Sequence, residues 1–79
     1  MKARVFVTLK NGVLDPQGSA VRRSLGSLGF EGVEKVRQGK VIELDLSETD
    51  AEKARAQVTE MCEKLLANTV IEDYSVEIL

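Results

Sequence analysis

The apolar residues of this chain switch from alternate spacing to helical spacing and back, twice over, and that order constrains the fold more than any single motif. In residues 3–9, Val5, Val7 and Leu9 point one way and Arg4, Phe6 and Thr8 the other, which is the period of a strand. Lys10-Asn11-Gly12 ends it with turn chemistry. Asp15 then stands where a carboxylate accepts the first free N–H groups of a helix, and Pro16 fits the first helical position, where its missing N–H costs nothing. Gly18 leaves that first turn open to a close neighbour. The helix is predicted from Pro16 to about Leu28, with Val21, Leu25 and Leu28 as its apolar stripe. Gly29 sits at the left-handed C-cap position, and Phe30 is placed to pack back on the helix end.

Val33–Gln38 and Lys40–Leu46 read as the two strands of a hairpin, with Gly39 supplying the positive φ of a tight turn. Thr49-Asp50-Ala51-Glu52 reads as a capping box. The second helix is expected to run to about Ala67, with Ala51, Ala54, Val58, Met61 and Leu65 on one stripe that Cys62 and Leu66 widen. Asn68 ends it, and Tyr74–Leu79 alternates as the last strand. The expected fold is α+β: a β-α-β-β-α-β ferredoxin-like two-layer sandwich, with a four-stranded antiparallel sheet and both helices on one face. Residues 1–79 form a single domain in this reading. The other sheet face carries Phe6 and Val41 among Arg4, Thr8, Glu43 and Glu77. That mixture is too polar for a monomer core and too apolar to need no cover, so Phe6 and Val41 are the candidate oligomer face.

Size supports the same expectation. A chain of 79 residues buries only about 60% of its unfolded surface, so its core is marginal unless something adds to it. One cysteine, Cys62, cannot form an internal disulfide, and with no histidine and no second thiol a zinc cluster has no ligand set. Self-association is left as the source of extra burial. A net charge of −2 argues against a phosphate-backbone surface, and three aromatic residues, all on core-linked positions, leave no stacking platform, so no nucleic-acid partner is expected. No stretch of 18 consecutive apolar residues and no apolar leader occur, so neither membrane insertion nor secretion is expected. A lone unpaired cysteine suits the reducing cytoplasm.

The catalytic inventory is correspondingly thin. Without histidine there is no Ser-His-Asp or Cys-His arrangement. Cys62 lies mid-helix on the apolar stripe, where a thiol is structural. The glycines have neither dinucleotide-binding nor P-loop spacing. Glu72 and Asp73 read as a solvated turn, and Glu48, Asp50 and Glu52 as charges favoured at a helix N-terminus. Catalytic, cofactor-binding and metal-binding residues are therefore all expected to be absent. A few polar residues have no evident fold role. Lys10, Asn11 and Gln17 surround the helix start that Asp15 caps, and Arg37 and Lys40 bracket a turn that any small polar pair could make. These six are the candidate docking residues, against the plainer reading of a solvated, salt-bridged face. Arg22 and Arg23, early in the first helix, are a second basic group.

Four segments together resemble the PurS family, the small subunit of phosphoribosylformylglycinamidine synthase. They are residues 7–18 (VTLKNGVLDPQG), Leu28-Gly29-Phe30, residues 36–40 (VRQGK) and residues 61–74 (MCEKLLANTVIEDY). One departure is visible: where the family commonly has proline after the Ala-Asn pair, this chain has Thr69, which leaves more of the helix stop to Asn68. The resemblance implies a non-catalytic, cytoplasmic subunit of a purine-pathway ligase. It implies a dimer or higher oligomer that bridges the glutaminase subunit and the synthetase large subunit and helps ammonia pass between them. The complex converts formylglycinamide ribonucleotide to its amidine, with ATP, Mg and glutamine used by the partner subunits. Two rivals differ in kind: a ferredoxin-like homodimer holding a small effector at its interface, and a small stand-alone enzyme.

Overall fold

A computed structural model describes residues 1–79. Its elements are β1 (Lys2–Leu9), α1 (Pro16–Ser27), β2 (Gly39–Asp45), α2 (Ala51–Met61) continued by a π-helical turn (Cys62–Leu66), and β3 (Glu72–Ile78). The strands form one antiparallel sheet in the order β2-β1-β3. Alternation along β1 sets its two faces. Ala3, Val5 and Val7 are buried on the inner face, where Val5 lies between Ile42 and Val76, and Ala3 between Leu44 and Ile78. On the outer face Phe6 lies between Val41 and Ser75, and Arg4 between Glu43 and Glu77. Phe6 and Val41 are exposed cross-strand neighbours there.

The α2 helix lies over β1 and β3 and closes the core with Ala54, Val58 and Cys62, all at 0% exposure. These three follow one another at i+4, so the inward stripe is narrower than the sequence suggests. Met61 and Leu65, expected on it, face solvent, and Leu65 is 82% exposed. The wider π turn is the cause: the Ala67 N–H reaches back five residues to the Cys62 carbonyl (3.1 Å), which turns Leu66 and Ala67 inward in place of Leu65. The N-cap is also displaced from Thr49. Asp50 caps α2, its carboxylate accepting from the Glu52 and Lys53 N–H groups, while Glu48 takes the N–H groups of Thr49 and Asp50. A carboxylate at the positive end of the helix is a better acceptor than a hydroxyl.

The expected second strand does not pair. Residues 33–38 take no regular secondary structure and join no ladder, so the single chain has three strands rather than four. The turn expected at Gly39 is absent as well. Positive φ occurs at Gly12, Gly29 and Gly32, not at Gly39. Gly39 is instead the first residue of β2, opposite Thr8, and an added Cβ would lie 2.5 Å from the Val7 carbonyl oxygen. Glycine is needed there for close approach to β1 rather than for a turn.

The first helix begins and ends as the sequence indicates. Asp15 caps it with Pro16 at its start. The Phe30 N–H bonds the Leu25 carbonyl and the Gly29 N–H that of Gly26, the paired bonds of a Schellman end around left-handed Gly29. Its position differs from expectation: α1 packs neither on the sheet nor on α2. Residues 13–37 form an arm that stands off the sheet, and the molecule measures 48 × 24 × 15 Å.

Candidate functional site

The polar residues singled out in the sequence meet at the root of this arm. Asp15 is its pivot. One carboxylate oxygen accepts the Gly18 N–H (2.9 Å) and so starts α1, and the other accepts the Gln38 N–H (2.8 Å) from the far side of the arm. Those two backbone bonds, with the Arg37 charge nearby, hold the Asp15 carboxyl below the usual carboxylate range. Gly18 sits between them, because a Cβ there would collide with the Val36 carbonyl oxygen and lie 2.9 Å from Asp15 Oδ2.

Arg37 fastens the other side. Its Nη2 donates to the Leu9 carbonyl, at the end of β1, and to the carbonyl of Lys10 just beyond it (3.0 Å). Arg37 is thus half-buried and spent on backbone carbonyls. Nothing in its position along the chain signals that role, since the bond spans 28 residues.

Asn11, Gln17 and Lys40 remain exposed around this root, and Lys10 is half-exposed. Gln17 and Lys40 line a cleft of about 240 Å³ with Thr8, Asp15, Gln38 and Glu72. The cleft holds Asp15 and Glu72 against Lys40, and Glu72 is itself occupied, its Oε1 accepting the Asn68 N–H at 2.6 Å. Asn68 follows the helix C-cap at Ala67 and organises the turn into β3. Its carbonyl accepts the Ile71 and Glu72 N–H groups, and its side chain accepts the Val70 N–H.

Two other titratable groups have defined surroundings. Cys62 is buried in the core, and burial followed by the Glu63 charge pushes its thiol up. Tyr74 donates its hydroxyl to Glu63 Oε2 at 2.6 Å, and that bond, with burial, pushes the phenol up to about 12. Sequence reading missed this pair, which joins the π turn to β3; the eleven-residue separation gives no periodic signal. No group of three or more histidine, cysteine, aspartate or glutamate side chains is placed to hold a metal ion.

Fold and site together define a small α+β module with a projecting arm, whose distinctive polar residues fasten the arm to the sheet. The family model for PurS, phosphoribosylformylglycinamidine (FGAM) synthase, matches residues 2–79. The PurS subunit of that synthase from Bacillus subtilis is 53% identical over 77 residues, covering 98% of this chain and 90% of that protein. The one from Synechocystis is 53% identical over 75 residues, covering 95% of this chain and 75% of that protein. Among solved structures, Methanocaldococcus jannaschii PurS matches with a TM-score of 0.86 at 46% identity, over 96% of this chain and 92% of that one. A chain of PurLQS from Thermotoga maritima matches with a TM-score of 0.88 at 37% identity, over 99% and 95%. The chain belongs to the PurS family of phosphoribosylformylglycinamidine synthase.

Proposed function

We propose that this chain is the assembly subunit of phosphoribosylformylglycinamidine synthase in purine biosynthesis. It joins the glutaminase and synthetase subunits and assists the passage of ammonia between them. The observation that carries the reading is similarity along nearly the whole chain to PurS subunits, one of them within a PurLQS structure. In this reading the chemistry, with its ATP, Mg and glutamine, belongs to the partner subunits in the cytoplasm. This chain contributes surface instead: Phe6 and Val41 to self-association, and Lys10, Asn11, Gln17 and Lys40 at the arm root to docking, with Asp15 and Arg37 holding that root in shape. The four-stranded ferredoxin-like sheet read from the sequence is then a property of the oligomer, since one chain supplies three strands. No helix is long and apolar enough to cross a membrane.

Reconstitution tests the role. With the glutaminase and synthetase subunits of the same source, adding this chain should restore glutamine-dependent amidine formation and leave turnover with added ammonia comparatively unchanged. Equal glutamine-dependent turnover with and without the chain would overturn the proposal.

A further inference from the structure

We propose that the hollow between α1 and the segment returning from it binds a small phosphate ester, a sugar phosphate or nucleotide, through Arg22 and Arg23. The site is separate from the arm root and from the surface assigned to self-association, and it adds a ligand to the assembly role.

The sequence spacing builds the helix side of the hollow. Ser19, Arg22, Arg23 and Gly26 follow one another at i, i+3, i+4 and i+7, on one face of α1. At about 100° per residue, Val21, Leu25 and Leu28 fall on the opposite side. Whatever covers that apolar side, the two arginines stay outward. The chain then turns back across the polar face. Left-handed Gly29 ends the helix, Gly32 (φ 86°) bends the chain again, and the Val33 carbonyl accepts from Arg22 Nε at 3.0 Å. Phe30, Glu31, Gly32 and Val33 form the far wall. The hollow measures about 520 Å³, the largest in the molecule, and falls within the roughly 300–1,000 Å³ of small-molecule sites.

Its charge is not used by the fold. Helix α1 has no acidic residue, and neither arginine joins an ion pair; those of the chain are Arg4 with Glu43 and Glu77, and Lys64 with Glu60. Arg22 gives its Nε to backbone, which orients the guanidinium, and its Nη groups and the whole of Arg23 take no protein partner. A chain of net charge −2 thus holds two adjacent uncompensated cations at one hollow.

Gly26 and Phe30 are equally unexplained by packing. A glycine inside a helix costs stability relative to alanine, yet a Cβ on Gly26 would meet nothing within 4 Å. No neighbour requires glycine there; its bareness opens the floor of the hollow to close approach. Phe30, expected from the sequence at a core-linked position, is 59% exposed and lines the wall.

A phosphate ester matches this set. Two guanidinium groups with the half-buried Ser19 hydroxyl suit a phosphate dianion, which accepts several charge-assisted bonds at once. Glu31 is an acceptor for sugar hydroxyls, and Phe30 an apolar wall for the sugar or a base. An acidic peptide fits less well, since its further carboxylates would meet Glu31.

Calorimetric titration of the intact chain with ribose 5-phosphate and with AMP tests the site. At least one ester should bind once per chain, more weakly as salt rises. Equal affinities assign the hollow to sugar phosphates and tighter AMP to nucleotides; either supports the proposal. Arg23→Ala should weaken binding about tenfold or more, because it removes charged donors from the phosphate, and Arg23→Lys should recover part of the loss. Gly26→Leu should abolish binding by filling the floor, with thermal unfolding reporting an intact fold. Four results would overturn the proposal: neither ester binds; inorganic phosphate binds as tightly as both, a general anion effect only; a glutamate-rich peptide binds more tightly than either; or Arg23→Ala and a folded Gly26→Leu bind like the parent, which places the ligand elsewhere.

Discussion

Asp15 illustrates how much one short side chain can fix. With both oxygens engaged by backbone N–H groups, its native-state carboxyl ionises more readily than the value of about 3.9 expected in an unfolded chain. The sign follows: the contribution is fully present above the unfolded value and is lost as pH falls through the lower native one. Acid unfolding of Asp15→Asn should therefore depend less steeply on pH below about 4 than that of the parent. Parallel acid titrations followed by circular dichroism measure the difference. Cys62 makes a second case. Its thiol should react slowly with a thiol reagent until the chain unfolds, and Cys62→Ala should cost about 1 kcal/mol in denaturant unfolding. Tyr74 is the only tyrosine in a chain without tryptophan, so its ionisation can be followed directly by ultraviolet absorbance. The native midpoint should fall near 12, and Glu63→Gln should bring it back toward the ordinary value of about 10. Because the neutral phenol is the favoured native form, this contribution to stability is present below about pH 10 and is lost as pH rises toward 12.

At the scale of elements, what could be read from the sequence divides by the range of the forces involved. The start of α1 at Asp15-Pro16, its end at Gly29, and the alternation of β1 rest on neighbours within a few residues, so the pattern contains them. Pairing of residues 33–38 does not. It turns on whether the chain reverses at Gly39, and that is decided by Asp15 and Arg37 acting across 23 and 28 residues. A strand-like pattern and a glycine were legible; the side chains that hold the turn open were not. The π turn is similar, since a helical stripe predicts Leu65 inward and one wider turn puts Leu66 there instead. The candidate docking set divides in the same way. Lys40 is exposed at the cleft, whereas Arg37 is bound to backbone, and the two should respond differently to truncation. Arg37→Ala should destabilise the fold by about 1–2 kcal/mol through two lost charge-assisted bonds. Lys40→Ala should change stability by no more than about 0.5 kcal/mol. It should nevertheless weaken capture of a partner subunit, most clearly at low salt, where an exposed charge is least screened. Thermal unfolding alongside binding at two ionic strengths separates these effects.

For the whole molecule the informative quantity is shape. A compact chain of this length has a radius of gyration of about 12 Å. Here it is 16.0 Å, and the buried core consists of small side chains, with valine and cysteine the largest fully buried. So little buried apolar surface on so extended a body is poor support for an isolated monomer. Sedimentation at micromolar concentration should give a dimer or larger species, and dilution should lower the apparent unfolding temperature, as it does wherever folding and association are coupled. A well-folded monomer whose melting is independent of concentration would contradict this. The arm also has a mechanical side. Twelve residues of α1 make a lever about 18 Å long, so a tilt of only 10° at its base would swing the far end by about 3 Å. Two independent fastenings at that base, one through Asp15 and one through Arg37, remove most of this play, and a projection that would otherwise wander can serve as a fixed ruler between the bodies it separates.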